Sequence, residues 1–393
     1  MHILFVTAEY PPMPGGVGAY TAELGRALSE QGCQVSILTS QTVDVVAATP
    51  TIPVYAKMTH WDWRIWGAVG GWARQLAVDW VHVQYQTGAF AMHPAINFAP
   101  WWWRRAWRGR QPTIRVAWTY HDLLAPYLFP KAGAGLRGWV TQQPARTSDL
   151  VIVTNSEDYA RLAGKTPVLA HIPIGSNIAG KPFSLVEHQR RRQQRGYGDD
   201  QLLVGYFGFL NHSKGGLTLV HTLAQLMQGG RDAHLLMIGE RVGANDPTNA
   251  RYLQEVEKLI DQMGLTTRIQ WTGHQAESEV SADLAACDVL LMPYEDGASL
   301  RRGTLLAGLA HGCAVVTTTP QAPLPELVDG RDLLYVAPGD AVAAAQAVRR
   351  IADDADLAAR LRTHAYIQSQ LFSWTRIGEQ HNRFYHSEKP VGQ

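Results

Sequence analysis

Cysteine is scarce in this chain: Cys33, Cys287 and Cys313 are far apart and form no pair with metal-ligand spacing. That excludes a disulfide framework and the common zinc sites, and it fits a reducing cytosol. No G-x-S-x-G elbow is present, and no uncharged apolar stretch reaches membrane-spanning length. Neither charge sign dominates. With 35 Lys and Arg against 34 Asp and Glu, the net charge of +1 removes any general argument for a nucleic-acid partner. The chain opens at once on a strand-like run at residues 1–7, with no basic n-region, apolar h-region or cleavage site, so a cytoplasmic protein is expected. Asp354 and Asp356 could suggest a metal-binding pair, but they read as the dipole-favoured carboxylates of a helix start.

Core material, by contrast, is plentiful. Hydrophobic residues make up 46% of 393 positions and charged residues 18%, which describes a globular chain longer than one hydrophobic core usually supports. Residues 2–8 form an apolar run, residues 11–18 a Pro/Gly-rich turn, and an amphipathic helix follows from Ala19 to a stop at Gly32. Residues 34–40 complete a strand–helix–strand unit whose parallel pairing requires the crossover helix. Further apolar runs at 80–83, 113–118 and 150–154 predict a parallel sheet buried on both faces. The second half repeats the pattern, with strand candidates at 202–209, 234–238, 268–271, 288–292, 314–318 and 333–336. Between the halves the Arg/Gln-rich stretch 183–200 reads as a domain boundary, with a hinge near residue 180. The expected fold class is α/β, with two doubly wound Rossmann-like domains, 1–180 and 181–371, facing a central cleft.

Several segments at strand ends could carry chemistry. Gly15-Gly16-Val17-Gly18 follows a strand and opens a helix, where backbone N–H groups and the helix dipole can cradle phosphate; a tight turn needing glycine dihedrals is the alternative. Gly208 to Gly216 has the same context and adds Lys214 and Gly215. A cation at a helix amino end opposes the dipole, so Lys214 asks for an anion such as a diphosphate, unless it is a solvated loop lysine. His121, followed by Asp122, could hydrogen-bond a sugar hydroxyl or developing charge, or only a loop carbonyl. Residues 293–304 gather Glu295, Asp296, Ser299, Arg301, Arg302, Gly303 and Thr304; guanidinium forks suit phosphate, and a solvated charge cluster is the competing explanation.

In chain order, Glu9-Tyr10-Pro11-Pro12 with the Gly15–Gly18 turn, His121-Asp122, Thr154-Asn155-Ser156-Glu157, Ile172 to Asn177, Lys214-Gly215, Ile238-Gly239 and Ala310-His311-Gly312-Cys313 to Val316 resemble glycosyltransferase family 4. The match extends over nearly the whole chain. It implies a GT-B fold and retaining transfer from a nucleotide-diphosphate sugar to a hydroxyl of a glycan or lipid-linked acceptor. Phe372-Ser373-Trp374 and the helix through Tyr385 look like the family's terminal segment, so that residues 372–393 would cross back onto the first, acceptor-side domain. The resemblance places Gly15 and Gly16 near the donor diphosphate, His121 on the donor sugar, and Lys214 on the diphosphate, with His121 and Lys214 as the catalytic pair. It implies no cofactor beyond the sugar nucleotide and no metal, since fixed cations and helix termini can stabilise a leaving diphosphate.

The chain departs from the family pattern at two places. Phe209 stands where members usually carry an arginine. The interval that should hold a Glu-x7-Glu motif is about two residues longer than usual. Its second glutamate maps near Ala307, and Glu295, Asp296 or Ser299 must stand for the first. A coherent remodelling would have Arg301 or Arg302 replace the missing phosphate charge, with Thr304 or adjacent backbone engaging the nucleotide. A sugar-nucleotide epimerase and a non-catalytic nucleotide- or partner-binding GT-B protein are the rival functions.

Ten of the thirteen tryptophans fall between Trp61 and Trp118. In the segment Trp101 to Arg110 they interleave with arginines, as a monotopic element at the inner membrane face would require. An amphipathic helix packing its tryptophans inward, or an aromatic platform for sugar rings, would account for the same composition.

Overall fold

The computed structural model describes all residues except Pro14, 43–51, 110–112, 127–129, Asn177, 243–246 and 388–393. Asn177 of the Ile172 segment and Arg110 of the tryptophan-rich segment therefore lie outside the described residues. The chain divides into two compact units, Met1–Gly175 with Trp374–Gln393, and Ser176–Ser373.

The first unit is built on β1 (His2–Val6), β2 (Gln34–Ser40), β3 (Val54–Met58), β4 (Trp80–Tyr85), β5 (Arg115–Tyr120), β6 (Leu150–Val153) and β7 (Leu169–His171). They lie in the order β3-β2-β1-β4-β5-β6-β7 with every neighbouring pair parallel. All residues of β1, β4 and β6 are buried, which is why these strands read as largely apolar runs, with the buried His82 and Gln84 of β4 hydrogen-bonded to side chains. Strands β3 and β7 lie outside the sequence candidates for a physical reason: both are sheet edges, one half-exposed with Lys57 in it and the other only three residues long.

Helix Gly16–Glu30 crosses from β1 to β2 and buries Val17, Tyr20, Leu24 and Leu28 at helical spacing. The terminal helix, Trp374–His386, belongs to this unit and buries Ile377, His381 and Tyr385. It approaches the first helix at Gly378, where an added Cβ would stand 3.1 Å from the Cβ of Ala27 and 2.7 Å from Nε2 of Gln31. Arg115 of β5 donates to the carbonyl of Tyr385 at 3.0 Å, satisfying an acceptor at the end of that helix.

The second unit carries β8 (Leu202–Phe207), β9 (Ala233–Ile238), β10 (Ile269–Trp271), β11 (Val289–Met292), β12 (Val315–Thr318) and β13 (Leu334–Val336), all parallel, in the order β10-β9-β8-β11-β12-β13. The Arg/Gln-rich stretch read as a boundary lies inside this unit. It forms the helix Leu185–Arg195, capped by Ser184 and ended by Gly196 at φ 84°. Three of its four arginines are structural: Arg192, buried, donates to Asp288 at 2.7 Å, and Arg191 and Arg195 both meet the buried carboxylate of Asp283. Asp354 caps helix Ala355–Ser369 through the amide of Leu357, and Asp356 sits in its first turn.

Candidate functional site

Strand order reverses direction in each sheet, between β1 and β4 in the first unit and between β8 and β11 in the second. The loops leaving the carboxyl ends of these strands flank the crevice where doubly wound sheets bind ligands. In the second unit those loops are residues 208–215 and 293–302, which hold most of the candidate donor-binding residues.

Gly215 locks the two loops together. It adopts φ 70°, and an added Cβ would lie 1.8 Å from the carbonyl oxygen of Pro293, so only glycine lets the chain pass there. That contact brings Lys214 beside Tyr294. The ammonium is buried, 5.6 Å from the Tyr294 ring and 5.5 Å from the Phe209 ring, and has no hydrogen-bond or ion-pair partner among the described residues. Burial first, and then the neighbouring charge of Arg302, lower its pKa from 10.5 to about 8, against a smaller opposite pull from Asp296.

Arg302 lies 4.5 Å over the same Tyr294 ring, donates to Ser213 Oγ at 3.3 Å and pairs with Asp296. Thr304 Oγ1 and the Tyr294 hydroxyl are 3.1 Å apart. Gly303 begins helix Gly303–Ala310, so its backbone stands at a positive helix end. Arg301 is exposed, and its amide meets Ser299 Oγ at 3.3 Å. The structure thus gathers Lys214, Gly215, Asp296, Arg302 and Thr304 around Tyr294, with the half-buried Ser299 and the exposed Arg301 on the same loop. Tyr294 and Ser213 had no role in the sequence patterns; an aromatic residue at a strand end between two cationic loops was the signal available for the first.

In the first unit, Gly15 and Gly16 open the helix after β1, but their turn already holds an anion. Glu9 Oε1 accepts from the amides of Val17 at 3.0 Å and Gly18 at 3.3 Å. Gly15 is needed there because an added Cβ would fall 2.4 Å from the Glu9 carboxyl carbon. His121 follows β5, with its Nε2 2.9 Å from Gln84 Oε1 and its ring edge-on to Tyr20 at 4.7 Å. Burial, together with the nearby His381, takes its pKa down to about 3, so the ring is neutral at pH 7. An amide oxygen can only accept, so the Gln84 contact puts the proton on Nε2 and leaves Nδ1 as an acceptor. Asp122 turns inward, accepting from Thr87 Oγ1 at 3.1 Å, and burial raises its pKa.

Residues 14–172 match the family model Glycosyltransferase Family 4, and residues 201–354 match Glycosyl transferases group 1. The 2-deoxystreptamine glucosyltransferase of Streptomyces kanamyceticus is 31% identical over 317 residues, covering 79% of this chain and 71% of that one. The chain belongs to glycosyltransferase family 4. The D-inositol 3-phosphate glycosyltransferase of Corynebacterium efficiens is 22% identical over 404 residues, covering 94% of this family 4 chain and 90% of its own. Among solved structures, sucrose-phosphate synthase from Thermosynechococcus elongatus superposes with a TM-score of 0.72 at 21% identity, covering 98% of each chain. Anabaena HepE in complex with UDP and glucose gives a TM-score of 0.72 at 19% identity, covering 98% of this chain and 99% of that one. The fold is accordingly GT-B, and the protein is a glycosyltransferase.

The departures of this glycosyltransferase from the family pattern have physical forms. Ala307 is buried in helix Gly303–Ala310 and offers no carboxylate. Glu295 accepts from Thr218 Oγ1 at 2.9 Å, which commits one oxygen to the helix Gly216–Gln228. Phe209, in place of arginine, lays its ring beside Lys214. The His311-Gly312-Cys313 segment is packing: His311 is buried between the Ala307 carbonyl and Ser281, and Gly312 turns the chain into β12.

Proposed function

We propose that this glycosyltransferase transfers a sugar, with retention, from a nucleotide-diphosphate sugar held by the second unit to a hydroxyl of a glycan or lipid-linked acceptor, without a metal. The observation that carries this reading is the buried, unpartnered ammonium of Lys214 beside Arg302 at the switch point of the second sheet. A buried ammonium with no carboxylate partner among the described residues and a guanidinium that shares a single carboxylate, Asp296, next to two helix amino ends, form a place where a diphosphate is favourable.

In the reaction the bond from the anomeric carbon to the diphosphate oxygen breaks, and the acceptor oxygen bonds to that carbon from the same face. The acceptor proton passes to the departing diphosphate. Lys214, Arg302 and the amides near Gly215 and Gly303 meet the charge that builds there, with Asp296, Ser299, Arg301 and Thr304 completing the nucleotide contacts. Arg302 takes the place of the arginine that Phe209 displaces. In the first unit Gly15 serves by admitting the Glu9 carboxylate that closes its turn, and Gly16, where an added Cβ would meet nothing within 4 Å, leaves backbone open to the donor. His121 hydrogen-bonds a sugar hydroxyl through its neutral ring.

The test is a thermal-shift screen against nucleotide sugars and nucleoside diphosphates with a chelator present, followed by transfer assays with the donor found. A rise in melting temperature that survives chelation, followed by an α-linked product from an α-linked donor, is the expected result. Binding that requires added metal, an inverted product, or conversion of the donor with no acceptor would each overturn the reading.

A further inference from the structure

Helix Ala95–Trp107 divides its aromatic residues between two faces. Ile96, Ala99, Trp103 and Trp107 are buried, and the Trp103 and Trp107 rings stack on each other 5.8 Å apart. Phe98, Trp101, Trp102 and Arg105 follow one another at i, i+3, i+4 and i+7 on the opposite face. The inward-packing explanation of the tryptophans holds for the first face and fails for the second.

The outward face continues onto two neighbouring segments. Trp102 stacks on Trp66 at 5.2 Å, Trp66 meets Trp63, and Trp63 stacks on Phe98 at 6.5 Å, which in turn meets Trp139 at 6.0 Å. Four large rings in or beside this chain of contacts stand open: Trp63 at 50% exposure, Trp101 at 46%, Trp102 at 42% and Trp139 at 45%. A helix needing only internal packing would not leave them so. Helix Gly133–Thr141, which supplies Trp139 and the exposed Leu136, buries only Thr141. Contiguous exposed apolar surface of this kind marks an interaction site.

Charge selects the partner. Residues 80–148 contain eight Lys and Arg and a single carboxylate, that of Asp122, which is turned inward to Thr87. The whole chain carries only +1, so the positive charge is local. Arg105 and Arg108 are exposed beside the rings, with Arg105 lying 5.5 Å from the Trp101 ring. The carboxylates at the margin, Asp62 and Asp149, are engaged by Arg64 and Arg104. A sugar platform would set free carboxylates or amides around a ring to take hydroxyl donors; this face surrounds its rings with guanidinium groups and a leucine.

We propose that this face docks the enzyme on the surface of an anionic lipid bilayer. The exposed tryptophans settle at headgroup depth and the arginines pair with lipid phosphates. Among the described residues no helix is long and apolar enough to cross a membrane, so the contact is peripheral. The proposal concerns residues of the first unit and does not depend on the chemistry of the donor-binding loops.

Flotation of the full chain with phosphatidylcholine vesicles, with and without phosphatidylglycerol, tests it. Wild type is expected to float with the anionic vesicles and to be released by high salt, each arginine contributing about fivefold to partitioning. Trp101→Ser with Trp102→Ser, and separately Arg105→Glu, should each lower partitioning about tenfold. Their near-ultraviolet circular dichroism and nucleotide-induced thermal shift should stay at wild-type values, showing that the loss is not unfolding. Equal binding to neutral and anionic vesicles, or no binding to either, would overturn the proposal. So would a face that responds to soluble oligosaccharide but not lipid, or one that the tryptophan variants show to be a dimer contact.

Discussion

The carboxylate of Glu9 closes the amino end of the first helix, with Oε1 3.0 Å from the amide nitrogen of Val17 and within reach of that of Gly18. A side chain from the chain itself therefore occupies amides that a phosphate could use. Gly15 makes room for that carboxylate, which is a different reason for glycine than close approach of a ligand. Glu9→Ala is expected to destabilise the first unit by about 1–2 kcal/mol, the loss of charge-assisted bonds at a helix amino end. Glu9→Gln, which retains an acceptor, should lose about half as much. Urea unfolding measures the cost, and faster hydrogen exchange at Val17 and Gly18 localises it. Because the second unit holds the diphosphate in our reading, neither variant should weaken nucleoside diphosphate binding by more than about threefold.

Lys214 sets a pH dependence whose sign follows from its burial. Its pKa in the folded chain is about 8, below the ordinary 10.5, so between these values the unfolded chain binds more protons and stability rises with pH. Below about pH 8 both states are protonated and the full penalty of the buried charge is present. A diphosphate reverses this by favouring the charged form. Nucleoside diphosphate affinity should therefore fall above about pH 8, approaching tenfold per pH unit until the bound-state pKa is reached. Calorimetric titrations across that range, with Lys214→Met as the flat control, provide the measurement.

Much of the architecture was readable from hydrophobic pattern. Each of the six strands of the second sheet, and the buried β1, β2, β4, β5 and β6, coincides with an apolar run, because burial on both faces removes any need for polar residues. The misreadings share a cause, which is that tertiary partners decide the meaning of polar residues. Arg191, Arg192 and Arg195 resemble a linker until Asp283 and Asp288, about ninety positions on, neutralise them. Tyr294 has no assigned role in the sequence until the loops place Lys214 and Arg302 against its ring. The two faces of the Trp101–Trp107 segment follow from helical periodicity, but which face met protein had to be seen.

Arg301 and Arg302 are adjacent in sequence and unequal in structure. Arg302 is stacked on Tyr294 and held by Ser213 and Asp296, so its guanidinium is placed before any ligand arrives; Arg301 is exposed. Arg302→Ala should weaken nucleoside diphosphate binding about tenfold to hundredfold, in line with removing one or two charge-assisted bonds, and Arg301→Ala by less than about threefold. Equal losses from the two variants, measured by calorimetry, would show that preorganisation at Tyr294 is not what distinguishes them.

His121 owes its tautomer to Gln84. The strand β4 holds Gln84 fully buried, with its Oε1 toward His121 and its Nε2 3.3 Å from Nε2 of His82, whose Nδ1 lies 2.5 Å from the Tyr385 hydroxyl of the terminal helix. The amide thus faces a donor on one side and an acceptor on the other, and the proton of His121 belongs on Nε2. Nitrogen-15 shifts of the imidazole should report the Nε2–H tautomer at pH 7. Gln84→Met keeps the volume and removes the acceptor, so the tautomers should mix and the turnover number should fall about tenfold while donor affinity holds. Gln84→Glu keeps an acceptor and adds charge, which should restore the Nε2–H tautomer and move the His121 titration upward from its value near 3. An Nδ1–H tautomer in the wild type would break the link between Gln84 and His121 whatever the transfer assays show, because the imidazole shifts are read without any substrate present.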